Sequence, residues 1–101
     1  MDTDFEKYAY EVFAIECDFS KNMATNETIT LASSDIKIYD ADGNDKTGTM
    51  LVSASKSVSG QKLLGKVQSG TADAKYTIKF KIVTSENNKF QKDMSLYVKY
   101  E

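Results

Sequence analysis

Apolar and polar positions alternate most regularly between Tyr76 and Val83. Tyr76, Ile78, Phe80 and Ile82 are interleaved with Thr77, Lys79, Lys81 and Val83. Successive side chains of a strand point to opposite faces, so the first set shares an apolar face and the lysines the other. The rest of the chain reads as strands that cover that apolar face.

Two periods compete near the start. Phe5, Tyr8, Ala9, Val12 and Phe13 fit a short helical stripe. Phe13, Ile15, Cys17 and Phe19, alternating with Ala14, Glu16, Asp18 and Ser20, fit a strand. The pattern predicts a first strand over 12–20, preceded by a charged N-terminal arm over 1–11 that is extended or forms a short turn. A polar connection runs over 21–26. Thr28–Leu31 is predicted as a short strand with Ile29 and Leu31 inward, and Ile36 and Ile38 lead a third strand ending at Tyr39.

Asp40-Ala41-Asp42-Gly43-Asn44-Asp45 opens with the Asp-x-Asp spacing of a calcium loop. Its glycine falls too early and Leu51 stands where a glutamate is needed. Asp, Asn and Gly are also what a tight β turn requires, and a turn is the expectation. Thr47–Val58 has mixed period and many serines, which predicts an edge strand shielded by Lys56. Gln61–Val67 is the next strand, with Leu63 and Val67 inward and Leu64 marking a bulge or a second buried face. Ser69–Lys75 is a corner around Gly70. Tyr76 stands where a Greek-key sandwich places a tyrosine whose hydroxyl bonds an upstream backbone group. Ser85–Asn88 is a hairpin turn, with Asn87 or Asn88 left-handed. The last strand, about Lys89–Tyr100, puts Met94, Leu96, Val98 and Tyr100 on one face. About seven short strands with turns every ~8–12 residues describe a single all-β domain over 12–101, an antiparallel sandwich.

Composition narrows the function. At 101 residues the chain suits one domain and one core. A net charge of −2 gives no electrostatic footprint for nucleic acid. No apolar run approaches the ~20 residues of a membrane span. The acidic, polar N-terminus does not read as a signal peptide, so a cytosolic origin is expected. There is no histidine, which removes the commonest general base and zinc ligand. The single Cys17 alternates with Ile15 and Phe19 and reads as a buried structural thiol. Gly70-Thr71-Ala72-Asp73-Ala74-Lys75 lacks the spacing of a phosphate loop. Nothing marks a cleft around Asp42 and Asp45. Lys62, Lys66, Lys79 and Lys81 form at most a solvated basic face. No catalytic residue, metal ligand or cofactor is called for, and an enzyme is not expected.

Several segments carry a resemblance. They are Asp18-Phe19 closing the first strand, then Asn26-Glu27-Thr28-Ile29, then the Asp40–Thr47 turn. The corner Ser69–Tyr76, the strand Tyr76–Ser85 and the terminal Leu96-Tyr97-Val98 complete it. Together they resemble small immunoglobulin-like structural proteins of tailed bacteriophages and prophages, over nearly the whole chain from about Tyr8. Similar proteins often have Trp at Phe19, a proline in the arm, and a second glycine at Asp73 or Ala74. The resemblance implies an immunoglobulin-like fold and a non-enzymatic virion component that decorates the head or joins head, neck and tail. Its implied partners are capsid, portal or tail subunits, in a symmetric assembly or homo-oligomer. For such a role the arm and the serine-rich edge are the expected contact surfaces, with Phe5, Tyr8, Tyr10, Met50 and Val52 as contact residues. Gly70 and Tyr76 are the structural corner. Removing residues 1–11 is expected to impair incorporation while sparing the fold. The alternative is a free-standing sandwich module that binds carbohydrate or a cell surface through Tyr39, Tyr97 and Tyr100.

Overall fold

The alternation around Tyr76 builds the central strand of the larger of two sheets. The computed structural model describes residues 4–100. In chain order the strands are β1 (Phe5–Tyr8), β2 (Phe13–Asp18), β3 (Asp35–Asp40), β4 (Ser57–Ser59), β5 (Lys62–Val67), β6 (Ala74–Val83) and β7 (Lys89–Lys99). A one-turn helix, α1 (Thr47–Met50), and a 3-10 turn at Leu31–Ser33 are the helical pieces among the described residues. One sheet has the order β1-β7-β6-β3 and the other β2-β5-β4. All pairings are antiparallel except that of β1 with β7, which is parallel.

The core lies between the sheets. Ile78, Phe80 and Ile82 of β6, Ile36 and Ile38 of β3, and Leu63 and Val67 of β5 are buried in one cluster. The sheets approach closely at Gly65, where a Cβ would stand 2.8 Å from the Ile36 side chain. Burying these branched and aromatic side chains supplies the main driving force for the fold, roughly 1.5–3 kcal/mol each.

The corner forms as the sequence predicts. The Tyr76 hydroxyl accepts from the Thr71 backbone N–H at 2.9 Å. Tyr76→Phe orphans that donor, and about 1 kcal/mol of stability is the expected loss, read as a lower urea midpoint at constant slope. The hairpin between β6 and β7 turns at Asn87, whose φ is +63°. The Asp40 carboxylate accepts from the backbone N–H groups of Asp42 and Asn44, each at 2.9 Å, which makes this loop a side-chain-capped turn.

Several expectations are corrected. Phe5–Tyr8, expected as an arm that is extended or forms a short turn, is a strand paired into the larger sheet, registered from Phe5 opposite Leu96 to Tyr8 opposite Lys99. Phe5 and Lys7 share its inward side, and a lysine in that row hides the alternation. Removing residues 1–11 would therefore strip a strand from the sheet, and the fold is not expected to stay intact. Residues 1–3 of the expected arm lie outside the described residues. Thr28–Leu31 makes only a single bridge, Ile29 to Thr84. The backbone turns at once through Ser33 N–H to Thr30 C=O and Ser34 N–H to Leu31 C=O, which leaves Leu31 exposed. Most of Thr47–Val58 is not strand. Thr49 and Met50 donate to the Lys46 carbonyl, and Thr47 Oγ1 accepts from the Ile38 N–H, so the chain rolls into α1. Leu64 stays in register opposite Glu16 and Ser57, without a bulge. Tyr100 lies past the end of β7 and is exposed rather than inward. Lys62 and Lys66 lie on a different sheet from Lys79 and Lys81, so the four do not make one basic face.

A polar cluster ties the 19–30 loop to the β6–β7 hairpin. Glu27, nearly fully buried, accepts from the Thr84 hydroxyl, from the Ala24 N–H at 2.9 Å and from the Asn88 amide at 3.0 Å. Those bonds, Thr84 first, hold its carboxyl below the ordinary glutamate value. The folded chain thus binds this proton less tightly than the unfolded chain. The stabilisation is full above the unfolded pKa and is lost as pH falls through the folded one. Glu27→Gln should melt several degrees lower at pH 7, and its gap from wild type should close on acidification. An unchanged gap at pH 3 would remove the carboxylate from the account.

Candidate subunit interface

Protein–protein contact needs exposed apolar side chains or unpaired strand edges. The exposed large apolar residues among those described are Tyr8, Tyr10, Val12, Leu31 and Tyr100. Four of the five sit where β1 leaves its sheet and β7 ends. Tyr10 is 89% exposed and Val12 55%. Tyr8 is opposite Lys99, whose ammonium lies 4.4 Å from the ring centroid, and Tyr100 follows directly.

The predicted contact residues divide accordingly. Tyr8 and Tyr10 are available on the surface. Phe5 is half-buried against the core. Met50 is 1% exposed, because α1 rolls it into the core beside Gly70. Val52 is half-buried, and its N–H donates to the Lys66 carbonyl along the side of β5. Of the two corner residues, Gly70 takes a φ of +100° and Tyr76 holds the Thr71 N–H through its hydroxyl.

The sequence hid what anchors this end. Lys7 is 0% exposed, and its ammonium donates to the carbonyls of Ser69 (2.6 Å), Tyr8 (2.7 Å) and Ala9 (3.3 Å). Burial pulls its pKa below the ordinary lysine value, against the opposing charge of Glu11. One side chain thereby clamps the exit of β1 to the corner after β5. Composition gives no signal for this, since a lysine among charged residues reads as solvated.

The four sheet edges differ. β3 is covered, because Lys46 N–H donates to Ile38 C=O and Asp40 N–H to Asn44 C=O. β4 is only three residues long. On β1 the Tyr8 N–H donates to the Glu11 carboxylate and the Tyr8 carbonyl accepts from the Glu11 N–H. β2 has no such cover along Ala14 and Glu16. Its Asp18 carboxyl is held below the ordinary aspartate value, chiefly by the Ser20 backbone N–H. Cys17, on the inward side of β2, is buried, and burial raises its pKa. No cluster of three or more possible metal ligands occurs among the described residues.

The tyrosines of the carbohydrate alternative stand on two strands of the larger sheet, with Tyr100 just past the end of β7. Tyr39 lies on β3 beneath the Lys79 ammonium, 5.5 Å from its centroid. Tyr97 lies on β7 and donates to Asp73 at 2.7 Å, the first cause of its raised pKa. β6 separates those two strands.

A β-rich chain with a tethered edge strand and exposed tyrosines at one end is equipped for contact with other proteins. Residues 7–97 match the family model described as podophage GP4 fiber-tail adaptor protein gp77, and the chain belongs to that family. It is a component of the phage virion. No curated protein and no solved structure matches it significantly.

Proposed function

We propose that this chain is a non-enzymatic adaptor that joins a tail fibre to the tail of the virion. The match over residues 7–97 carries this reading. The exposed Tyr8–Tyr10–Tyr100 end supports it, since interface hot spots favour tyrosine. The adaptor role takes the place of head decoration among the virion positions considered above. An immunoglobulin-like arrangement is our reading of the fold, supported by the sheet orders β1-β7-β6-β3 and β2-β5-β4 and by the Tyr76 corner. β1 belongs with that domain, so the division at residue 12 moves to the start of β1.

The test is phage carrying Tyr10→Ala. The side chain makes no described hydrogen bond, so the fold should be unaffected. Loss of a tyrosine anchor should lower fibre occupancy roughly tenfold under limiting fibre. Fibre occupancy equal to wild type, counted by electron microscopy, would remove this end as the contact.

A further inference from the structure

We infer that the outer edge of β2 receives an extended segment of a partner virion protein, one that alternates apolar with basic residues and adds to the sheet as a strand. This rests on the adaptor reading and names the mode of contact.

Backbone geometry comes first. Phe19 N–H donates to the Gln61 carbonyl at 2.9 Å, which fixes the odd-numbered residues of this strand as those bonded to β5. Hydrogen-bonding groups alternate sides along an antiparallel strand. The N–H and C=O groups of Ala14 and Glu16 therefore point away from β5, and they meet no partner among the described residues. Asp18 ends the row, its carbonyl taken by the Lys92 ammonium at 2.9 Å. The other three sheet edges are covered, capped or very short, as described above. β2 also carries no proline, lysine or bulge, the usual guards of an exposed edge.

Side chains define the occupant. Those of Val12, Ala14, Glu16 and Asp18 are exposed, and the last two are acidic. Glu16 is met by an exposed pairing with Lys62 at 3.0 Å, and the charges of Lys62 and Lys92 act on Asp18. A partner strand with lysine or arginine on that side meets opposite charge across the pair. A second copy of β2 would instead bring its own carboxylates against this row. On the inward side, Phe13 is only half-buried, and alternate apolar residues of the partner would extend the core over it. Main-chain bonds supply affinity and alternate side chains supply specificity, as in other strand additions.

Two variants and one exchange measurement test this. Ala14→Pro removes an outward N–H that the fold does not use, and proline is tolerated at such edge positions. Glu16→Lys reverses the charge and keeps the backbone. Glu86→Lys, an equal charge change in the exposed β6–β7 turn, is the control. Copies per purified particle should fall roughly tenfold for both edge variants and stay at wild type for the control. Melting curves of the isolated variants establish folding, and Glu16→Lys carries the test should Ala14→Pro not fold. Hydrogen exchange of the peptide spanning residues 12–18 should slow at least about tenfold in the particle relative to the free chain. Normal incorporation of both folded variants, with unchanged exchange, overturns the inference. A concentration-dependent dimer of the free chain that Ala14→Pro abolishes overturns the hetero-partner assignment. Absence of the wild-type chain from particles would instead defeat the adaptor reading itself.

Discussion

Lys7→Ala should lower stability by about 3–5 kcal/mol, a large share of what a domain this size possesses. The ammonium is fully buried and serves three backbone carbonyls at once. Alanine leaves the Ser69 and Ala9 carbonyls without that donor, while the Tyr8 carbonyl keeps the Glu11 N–H, and an orphaned buried polar group costs about 1–3 kcal/mol. It also opens the space the aliphatic stem filled. The corresponding fall in Tm is roughly 12–25 °C. β1 is an edge strand of four residues, so the mutant can relieve part of the cost by releasing it. Faster exchange should then appear along Phe5–Tyr8 and its partners Leu96–Lys99 on β7, ahead of global unfolding. Lys7→Met keeps the stem and loses the donors. It should recover only the packing part, and a Lys7→Met protein as stable as wild type would show that the carbonyl bonds contribute nothing.

Gly70→Ala is the second large effect, at about 2–5 kcal/mol. Gly70 has φ of +100°, a region where a Cβ costs roughly 1–2 kcal/mol. A Cβ there would also stand 2.8 Å from Val98 Cγ2 and 3.1 Å from Met50 Cε. Both side chains are fully buried, so neither can swing into solvent, and overpacking adds about 1–3 kcal/mol. Gly60→Ala is the control, because Gly60 has φ of +60° and open space around its missing Cβ. It should show the backbone part alone. Equal urea midpoints for the two variants would mean that the corner packing carries no weight.

What was legible in the sequence followed from period and turn chemistry. β6 and β2 announced themselves because their inward residues are apolar and uninterrupted. The Asp40 turn, the Asn87 hairpin and the Tyr76 corner were legible because short polar side chains and a corner tyrosine have few other uses. The failures share a cause, in that local pattern does not report tertiary satisfaction. Lys7 looked solvated, and distant Ser69 makes its burial tolerable. Met50 looked like an edge residue, since Thr-Gly-Thr-Met has no period to separate a strand from one helical turn. Ile29 did pair, but the 3-10 turn behind it ended the strand after a single bridge. The open edge of β2 was invisible for the same reason, because which edge stays uncovered depends on where β1 crosses to β7. Family likeness reached further than residue chemistry, and the corner segment that bore it lies within the matched span.

The central claim is that this virion component links fibre to tail. It is tested most directly by quantitative mass spectrometry of particles purified from a phage lacking this chain. The account predicts normal amounts of head and tail-tube proteins and loss of the fibre protein, with fibres restored when the chain is supplied in trans. Particles that lack the chain and still carry a full complement of fibre protein would contradict it.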